Sequence, residues 1–255
     1  MTTATIEQIY AHGSVRQYKT DPIPKDVVET IVAAGQRGST SSNLQMYSVV
    51  AVTTAEKRDQ LASLCGNQAH IRQAPVFLAW CADLSRLERA AERRGHDPVL
   101  NYAENFLLAV VDVAILMQTA TVAAESLGLG MCYIGAIRNN PAEVIELLNL
   151  PRLVFPISGM TLGWPVRAPR IRPRLPLDTI LHWETYDTSG EEAYLQEYDQ
   201  AMIATGIYQG RQVAKPGAEE EMEDYGWTEH CARRIAGPIR PGLSKVLHDQ
   251  GFELV

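Results

Sequence analysis

The sequence predicts an α+β protein in which helices alternate with short buried strands. The chain has 255 residues, 46% of them hydrophobic and 21% charged, which is enough apolar material for a large core. Apolar residues recur at helical spacing in several segments. Two further segments, 47–52 and 75–82, are apolar runs with the length of buried strands. Together these observations indicate a mixed fold, and no internal repeat is visible.

The first third of the chain predicts five elements. A turn marked by Pro22 and Pro24 separates the first two, and a polar loop of hydroxyl residues precedes the first strand. The stretch 84–97 is charged, and we expect it to be solvated. In chain order the predicted elements are helix 4–11, helix 25–36, strand 47–52, helix 55–64 and strand 75–82.

A long helix predicted over residues 101–127 is the most informative element. Its run FLLAVVDVAILMQTATVAA is apolar around most of the circumference, so a membrane span must be considered. Asp112 lies inside that run, where an acidic residue costs roughly 3 kcal/mol to insert into a bilayer. Glu104 and Glu125 flank the run without Lys or Arg anchors. We therefore expect no membrane span but a core helix, buried on several sides and suited to a subunit interface.

Short elements are predicted to follow the long helix. Gly128 and Gly130 end it, and Gly128-Leu129-Gly130 looks like half of a dinucleotide-binding fingerprint. That fingerprint requires a strand before the glycines and a helix after them, whereas the order here is reversed, so we exclude a Rossmann phosphate loop. Asn140 and Pro141 suit the start of a helix. The predicted elements are strand 131–134, helix 141–149 and strand 155–162.

The character of the chain changes after residues 163–165. The segment VRAPRIRPRLP over 166–176 contains four arginines and three prolines, which favour an extended arm. Helical segments near 190–205 and 228–249 follow, separated by a loop with an acidic run at 219–224. We expect a core over residues 1–165, with the arm and a helical appendage over 166–255.

Charge and cysteine content exclude several classes of protein. The formal net charge of −7 argues against a dedicated nucleic-acid binder, although it does not exclude a small basic pocket. The four cysteines have no C-x-x-C spacing, and no two histidines lie at metal-ligand spacing, so no metal site is predicted. No secretory signal is visible at the N-terminus, and we expect a cytoplasmic protein.

Three motifs are candidates for chemistry. His12 and Arg16 share one face of a helical turn with Ser14 nearby, which suits a phosphate. Arg172-x-Arg174 projects two guanidinium groups from a proline-stiffened arm, which suits an oxyanion. The run Ser39–Ser42 contains four hydroxyls. Taken singly, each motif is better explained without a ligand: the first as a solvated helix end, the second as surface charge and the third as a turn. Because no hydrolase or metalloenzyme motif is present, the set favours a phosphorylated ligand over side-chain catalysis.

These motifs occur together with others along nearly the whole chain. His12-Gly13-Ser14-Val15-Arg16 is similar to the His-Arg-Ser-x-Arg opening of the nitroreductase family. In its combination of motifs the chain resembles the group A, oxygen-insensitive NAD(P)H nitroreductases and their flavin-reductase relatives. The other matching motifs are the loop Ser39–Gln45, Gly66-Asn67-Gln68, Ala123–Gly130, Tyr133-Ile134-Gly135, Arg138-Asn139-Asn140, Leu162–Pro165, Arg172–Pro176 and the tail from Trp227 to Gly251.

The resemblance implies a nitroreductase-like α+β fold on a mostly antiparallel sheet flanked by helices. It implies an intertwined homodimer, with the long helix at the interface and FMN between the subunits. The segment exchanged between the subunits would be the arm 166–176 together with the appendage after it.

The resemblance also assigns residues to the cofactor site. At the FMN phosphate and ribityl chain it places His12, Gly13, Ser14, Arg16, Arg172 and Arg174. The pocket would be lined from the partner subunit by the hydroxyl loop of Ser39, Thr40, Ser41 and Ser42. Along the isoalloxazine ring it places Gln68, Tyr133, Ile134 and Gly135. Gly13 departs from the family, which often has Arg there. That departure removes one charge-assisted contact to the phosphate. Such a contact would contribute about 1.5–3 kcal/mol to the free energy of FMN binding.

The implied activity is two-electron, ping-pong hydride transfer from NAD(P)H to a nitroaromatic or a quinone. The flavin carries the chemistry, so we assign no catalytic side chain. The resemblance favours NADPH over NADH as the hydride donor. Arg211 and Arg233 are candidates for binding its 2′-phosphate. Two alternatives remain at this point. One is a flavin reductase that supplies reduced flavin to a partner, and the other is a non-catalytic flavin-binding protein.

Overall fold

The computed structural model describes residues 2–215 and 217–255 and divides the chain into two compact units. The first unit runs to Arg170 and includes Arg240–Val255, and the second is Ile171–Ile239. The predicted division at residue 165 therefore differs from this one in two ways. The boundary lies later, and the last residues pack with the first unit, where Leu247 and Phe252 are buried in its core.

The centre of the first unit is a four-stranded antiparallel sheet, as the sequence predicts. Its strands are β1 (Tyr47–Val52), β2 (Val76–Asp83), β3 (Gly130–Ile134) and β4 (Val154–Gly163). Their order across the sheet is β1-β2-β4-β3, and every pairing is antiparallel. β3 is thus an edge strand of this sheet.

Helices cover both faces of the sheet, and its inner strand β2 is apolar and buried on both sides. Leu78 and Trp80 of β2 pack in one cluster, whereas Phe77 and Ala79 pack in another. This alternation follows the two-residue period of a strand. The helices of the first unit are α1 (Ala4–Tyr10), α2 (Lys25–Gly35), α3 (Ala55–Leu64), α4 (Ala69–Gln73), α5 (Ser85–Arg93), α6 (Ala103–Ser126), α7 (Pro141–Leu148) and α10 (Leu243–Asp249).

The long helix α6 has one buried face and one exposed apolar face. Val113, Leu116 and Ala120 pack with α2 and the sheet. Leu107 and Val111 lie on the other side, 57% and 46% exposed. Within a single chain α6 is therefore a core helix on one side, and its other side carries the exposed apolar residues expected of a subunit interface. By length and composition α6 could also cross a membrane, and 33% of its most apolar 18-residue stretch is buried.

The second unit contains α8 (Glu191–Ala204), α9 (Trp227–Ile235) and a hairpin of β5 (Gln212–Lys215) and β6 (Ala218–Asp224). The predicted loop around the acidic run at 219–224 is thus a strand. The prediction of one helix over 228–249 is also wrong, because the chain forms two separate helices there, α9 and α10. The interruption contains Gly237-Pro238 and Pro241-Gly242, and proline lacks the N–H that a helix interior requires. The extended arm 166–176 forms no helix or strand, as predicted.

Candidate functional site

The segment His12–Arg16 lies along the edge strand β3. The Val15 N–H donates a hydrogen bond to the Met131 carbonyl at 2.8 Å. The Val15 side chain is buried against Gly130, where an added Cβ would lie 2.5 Å from a Val15 methyl carbon. Ser14 and Arg16 are therefore exposed on either side of a buried anchor. No described carboxylate forms an ion pair with Arg16 within 4.0 Å.

Gly13 is packed against its own chain. An added Cβ at Gly13 would lie 2.8 Å from the Pro169 Cβ and 2.9 Å from the Arg170 carbonyl oxygen. This close approach explains the absence of a side chain at this position in physical terms. Any ligand contact from Gly13 in this conformation is limited to its backbone.

His12 is held by the last turn of α6. Its Nδ1 lies 2.7 Å from Oε1 of Glu125, and both side chains are mostly buried. In the sequence Glu125 is a charged flank of the apolar run and part of the matching motif Ala123–Gly130, and neither observation assigned it to the site. The structure therefore adds a contact that the motifs did not indicate.

Tyr133, Ile134 and Gly135 continue along the same edge. The Tyr133 hydroxyl lies 2.6 Å from Oγ1 of Thr121 on α6, and burial raises the pKa of Tyr133 to about 12. Ile134 is buried in the core between the sheet and α3 and α7. Since both side chains are engaged elsewhere, a contact from this strand end at the sheet edge would come from its backbone and from Gly135.

Gln68 begins α4 after a turn in which Gly66 and Asn67 both have positive φ. Its Nε2 donates to the Cys65 carbonyl at 2.7 Å, which leaves Oε1 of the amide as its other polar atom. His70 follows in the same short helix. It is 8% exposed, and its Nε2 is buried without a hydrogen-bond partner. Burial and the charge of Arg16 lower the pKa of His70, so the imidazole lies within electrostatic reach of that arginine.

The hydroxyl loop Ser39–Ser42 is anchored by Asp112. The buried Asp112 carboxylate accepts hydrogen bonds from the backbone N–H of Ser41 at 3.0 Å and of Met46 at 3.1 Å. Between these two anchors, Ser42 and other residues adopt left-handed backbone conformations, which cost free energy and persist only where neighbours hold them. The acidic residue that argued against a membrane span is thus the residue that holds this loop.

In the first unit, the hydroxyl loop Ser39–Ser42 and the segment His12–Arg16 are held by different parts of α6. Asp112 holds the hydroxyl loop, and Glu125 holds His12. Thirteen residues separate these anchors, which corresponds to about 20 Å along a helix. The structure thus brings His12, Ser14, Arg16 and the end of β3 together, and it keeps the anchored loop apart from them within one chain.

The remaining predicted residues lie in the second unit. Arg172 and Arg174 are exposed on the arm, which is attached to α8 by a 3.1 Å hydrogen bond from the Tyr198 hydroxyl to the Pro173 carbonyl. Arg211 and Arg233 meet at one aromatic ring. Their guanidinium carbons lie 5.7 Å and 5.5 Å from the centre of Tyr225.

Arg211 and Arg233 differ in their other contacts. The Arg233 guanidinium also forms an ion pair with Glu229, one turn earlier in α9. This ion pair offsets the positive charge of Arg233 and occupies one of its N–H donors, so Arg233 would bind a phosphate less strongly. The structure therefore brings the two predicted nucleotide residues together, and the pairing makes Arg211 the better phosphate candidate.

Comparisons with known proteins all lead to one family. Residues 9–164 match the model of the nitroreductase family, and residues 172–255 match that family's C-terminal domain. A Cr(VI) reductase of Pseudomonas sp. strain G-1 is 38% identical over 246 residues, covering 96% of this chain and 98% of that protein. An oxygen-insensitive NADPH nitroreductase of Salmonella typhimurium is 37% identical, with coverages of 97% and 98%.

A solved structure has the same architecture. The NADPH:FMN oxidoreductase of Vibrio harveyi, complexed with NAD+, superposes with a TM-score of 0.83 at 33% identity, covering 98% of this chain and 99% of that one. The family models match most of the chain, and the predicted antiparallel α+β fold is present. The chain therefore belongs to the nitroreductase family.

Proposed function

We propose that this protein is an FMN-dependent oxidoreductase that uses NAD(P)H to reduce small acceptors such as nitroaromatics or quinones. The observation that carries the proposal is the anchoring of the segment His12–Arg16 along β3, which exposes Ser14 and Arg16 beside the end of that strand. Membership of the nitroreductase family and relatives named for NADPH and FMN support the same activity.

The donors present fit the phosphate of FMN. A phosphate accepts hydrogen bonds, and Arg16 and Ser14 provide a guanidinium and a hydroxyl at one sheet edge. The His12 imidazole lies beside them, where its Nε2 would accept from a ribityl hydroxyl. The orphaned Nε2 of His70, within electrostatic reach of Arg16, is a further polar atom without a protein partner. The family resemblance adds Arg172 and Arg174 of the arm to the proposed phosphate site, and no described carboxylate is an ion-pair partner of either.

The protein's own part in the reaction is binding and orientation. When bound, FMN would accept a hydride from NAD(P)H and pass two electrons to the acceptor. Arg16, Arg172 and Arg174 would hold its phosphate. The backbone at Tyr133–Gly135 and the Gln68 amide would hold the ring edge. Because the pKa of Tyr133 is raised to about 12, its hydroxyl stays protonated at neutral pH and supports the strand rather than exchanging a proton.

We include a homodimer in this proposal. The loop anchored at Asp112 lies about 20 Å along α6 from the His12 anchor, so a second copy is needed to bring such a loop to this site. The exposed stripe of Leu107, Val111 and Ile115 on α6 offers an apolar face for that copy. In the second unit the arm and its continuation expose six large apolar residues: Ile171, Leu177, Ile180, Leu181, Trp183 and Tyr186.

We further propose a preference for NADPH and a cytoplasmic location. Arg211 provides a cation for a 2′-phosphate, and its replacement by Ala is expected to lower the selectivity for NADPH over NADH. An unchanged ratio of the two KM values would remove Arg211 from the nucleotide site. Cys65, Cys81 and Cys231 have free thiols, the first two of them buried, which agrees with a reducing compartment.

The decisive experiment is spectroscopic. The purified protein, reconstituted with FMN, is expected to be yellow, to bleach when NADPH is added, and to regain colour with a quinone. A protein that gains no flavin absorbance in the presence of excess FMN would refute the proposal. Bound flavin that NADPH does not bleach would instead support a non-catalytic flavin-binding protein.

A flavin reductase is the second candidate function. The Vibrio harveyi NADPH:FMN oxidoreductase, 33% identical over nearly the whole chain, favours it. Turnover of free FMN that exceeds turnover of nitrofurazone and benzoquinone would identify the protein as a flavin reductase. The reverse order would identify a nitro or quinone reductase.

A further inference from the structure

Glu125 is an acidic residue at a place where a helix does not favour one. It lies in the last turn of α6, which contains no basic residue. The C-terminus of a helix carries a partial negative charge from its unpaired carbonyl groups, so a carboxylate there is destabilising unless something offsets it. The partner that the structure gives this carboxylate is His12, at 2.7 Å from Nδ1.

The contact determines which nitrogen of His12 is available to a ligand. An ionised carboxylate only accepts hydrogen bonds, so Nδ1 must carry the proton that lies between the two groups. Nε2 is then the ring nitrogen left for other partners, and in the neutral ring it accepts a hydrogen bond rather than donating one. Since the Glu125 side chain is 9% exposed and that of His12 is 22% exposed, water competes little for this hydrogen bond. The carboxylate therefore limits both the tautomer and the rotation of the imidazole.

We propose that Glu125 is a positioning residue of the cofactor site, acting through His12 to present Nε2 as a hydrogen-bond acceptor to a ribityl hydroxyl of FMN. This inference rests on the proposed function. It gives a physical reason for an acidic residue at the end of α6, beside the segment predicted to bind a phosphate. Glu125 itself does not contact the ligand, and its effect on binding passes through the imidazole.

A double-mutant cycle tests this role. Apoproteins of the wild type and of Glu125→Ala, Glu125→Gln, His12→Ala and His12→Ala/Glu125→Ala are titrated with FMN, and the dissociation constant is read from quenching of flavin fluorescence. We expect Glu125→Ala to weaken binding about tenfold, the typical loss of one hydrogen bond to a charged group. Glu125→Gln keeps an acceptor oxygen and should recover part of the affinity.

The cycle separates positioning from general structural support. In the His12→Ala background, replacement of Glu125 should leave the dissociation constant unchanged, whereas a merely structural role would weaken binding equally in both backgrounds. Glu143→Ala, on the exposed face of α7, is the control and should bind FMN as the wild type does. An equal effect of Glu125→Ala in both backgrounds, or no effect in either, would overturn the proposal.

A measurement without FMN keeps this inference distinct from the proposed function. In the apoprotein labelled with 15N-histidine, the His12 ring should show its proton on Nδ1, and Glu125→Ala should shift the ring towards the Nε2–H form. An unchanged tautomer would overturn the positioning role even if FMN binds. A wild-type protein with the expected tautomer that binds no FMN would refute the proposed function and the ligand assigned to His12, but not the Glu125–His12 contact.

Discussion

His70 makes the stability of the fold depend on pH. Burial, with a smaller contribution from the charge of Arg16, lowers its pKa below the ordinary value of 6.5. Between that value and the lowered pKa, the unfolded chain binds a proton that the folded chain does not. His70 therefore destabilises the fold progressively as the pH falls below 6.5.

The corresponding variant is His70→Gln, which does not titrate. Its melting temperature should fall less than that of the wild type between pH 7 and about pH 5, since the proton linkage of this residue is gone. Thermal unfolding followed by circular dichroism measures both profiles. Parallel profiles would show that His70 titrates normally in the folded protein.

Arg16 should contribute to FMN affinity and little to folding, because it is exposed and has no described ion-pair partner. Replacement by Ala removes a charge-assisted contact of about 1.5–3 kcal/mol, so the dissociation constant should rise roughly ten- to a hundredfold. Arg37→Ala, an exposed arginine after α2, is the matched control. Equal affinities of the two variants would remove Arg16 from the site.

At the scale of single residues, the motif comparison named His12, Ser14 and Arg16, and the structure brings these three to one edge. Glu125, Asp112 and His70 were not named as site residues. A signal existed for Asp112, since an acidic residue inside an apolar helix needs a partner. The identity of that partner depends on which loop packs against the helix, and no local pattern contains this information.

At the scale of elements, α6 organises the site because it anchors two loops. Asp112→Asn should destabilise the protein by about 1–3 kcal/mol, since the amide can accept only one of the two backbone N–H groups and leaves the other unsatisfied. Chemical denaturation measures this loss. Glu104→Gln, exposed in the first turn of the same helix, should change stability by much less. Equal losses in the two variants would contradict the anchoring role.

The elements also show where local sequence patterns succeed and fail. The strands and the long helix are strongly patterned, and their observed bounds lie within two residues of the predicted ones. The hairpin of β5 and β6 was missed because its acidic composition is typical of a solvated loop. Pairing between the two strands outweighs that weak local preference. The helix predicted over 228–249 was too long, although its prolines already marked the interruption.

For the whole molecule, the exposed apolar stripe on α6 predicts self-association. Val111→Lys places a charge in the middle of that stripe and should convert a dimer of two 28.2 kDa chains into monomers. Analytical ultracentrifugation measures the change, and Gln60→Lys on the exposed face of α3 is the control. The monomer should also lose FMN affinity, since the loop Ser39–Ser42 would no longer reach a partner. A wild-type chain that sediments as a monomer would contradict the proposed dimer.

Periodicity and motif order were sufficient to predict the fold class, the main elements and the family, because they are local properties that can be read without knowledge of contacts. They also indicated a basic ligand site inside a chain of net charge −7. The packed chain was needed to establish that α6 is buried on one side, that Gly13 is covered by its own chain, and that Asp112 and Glu125 hold separate loops. Each of these features depends on residues far apart in sequence that become neighbours only when the chain folds.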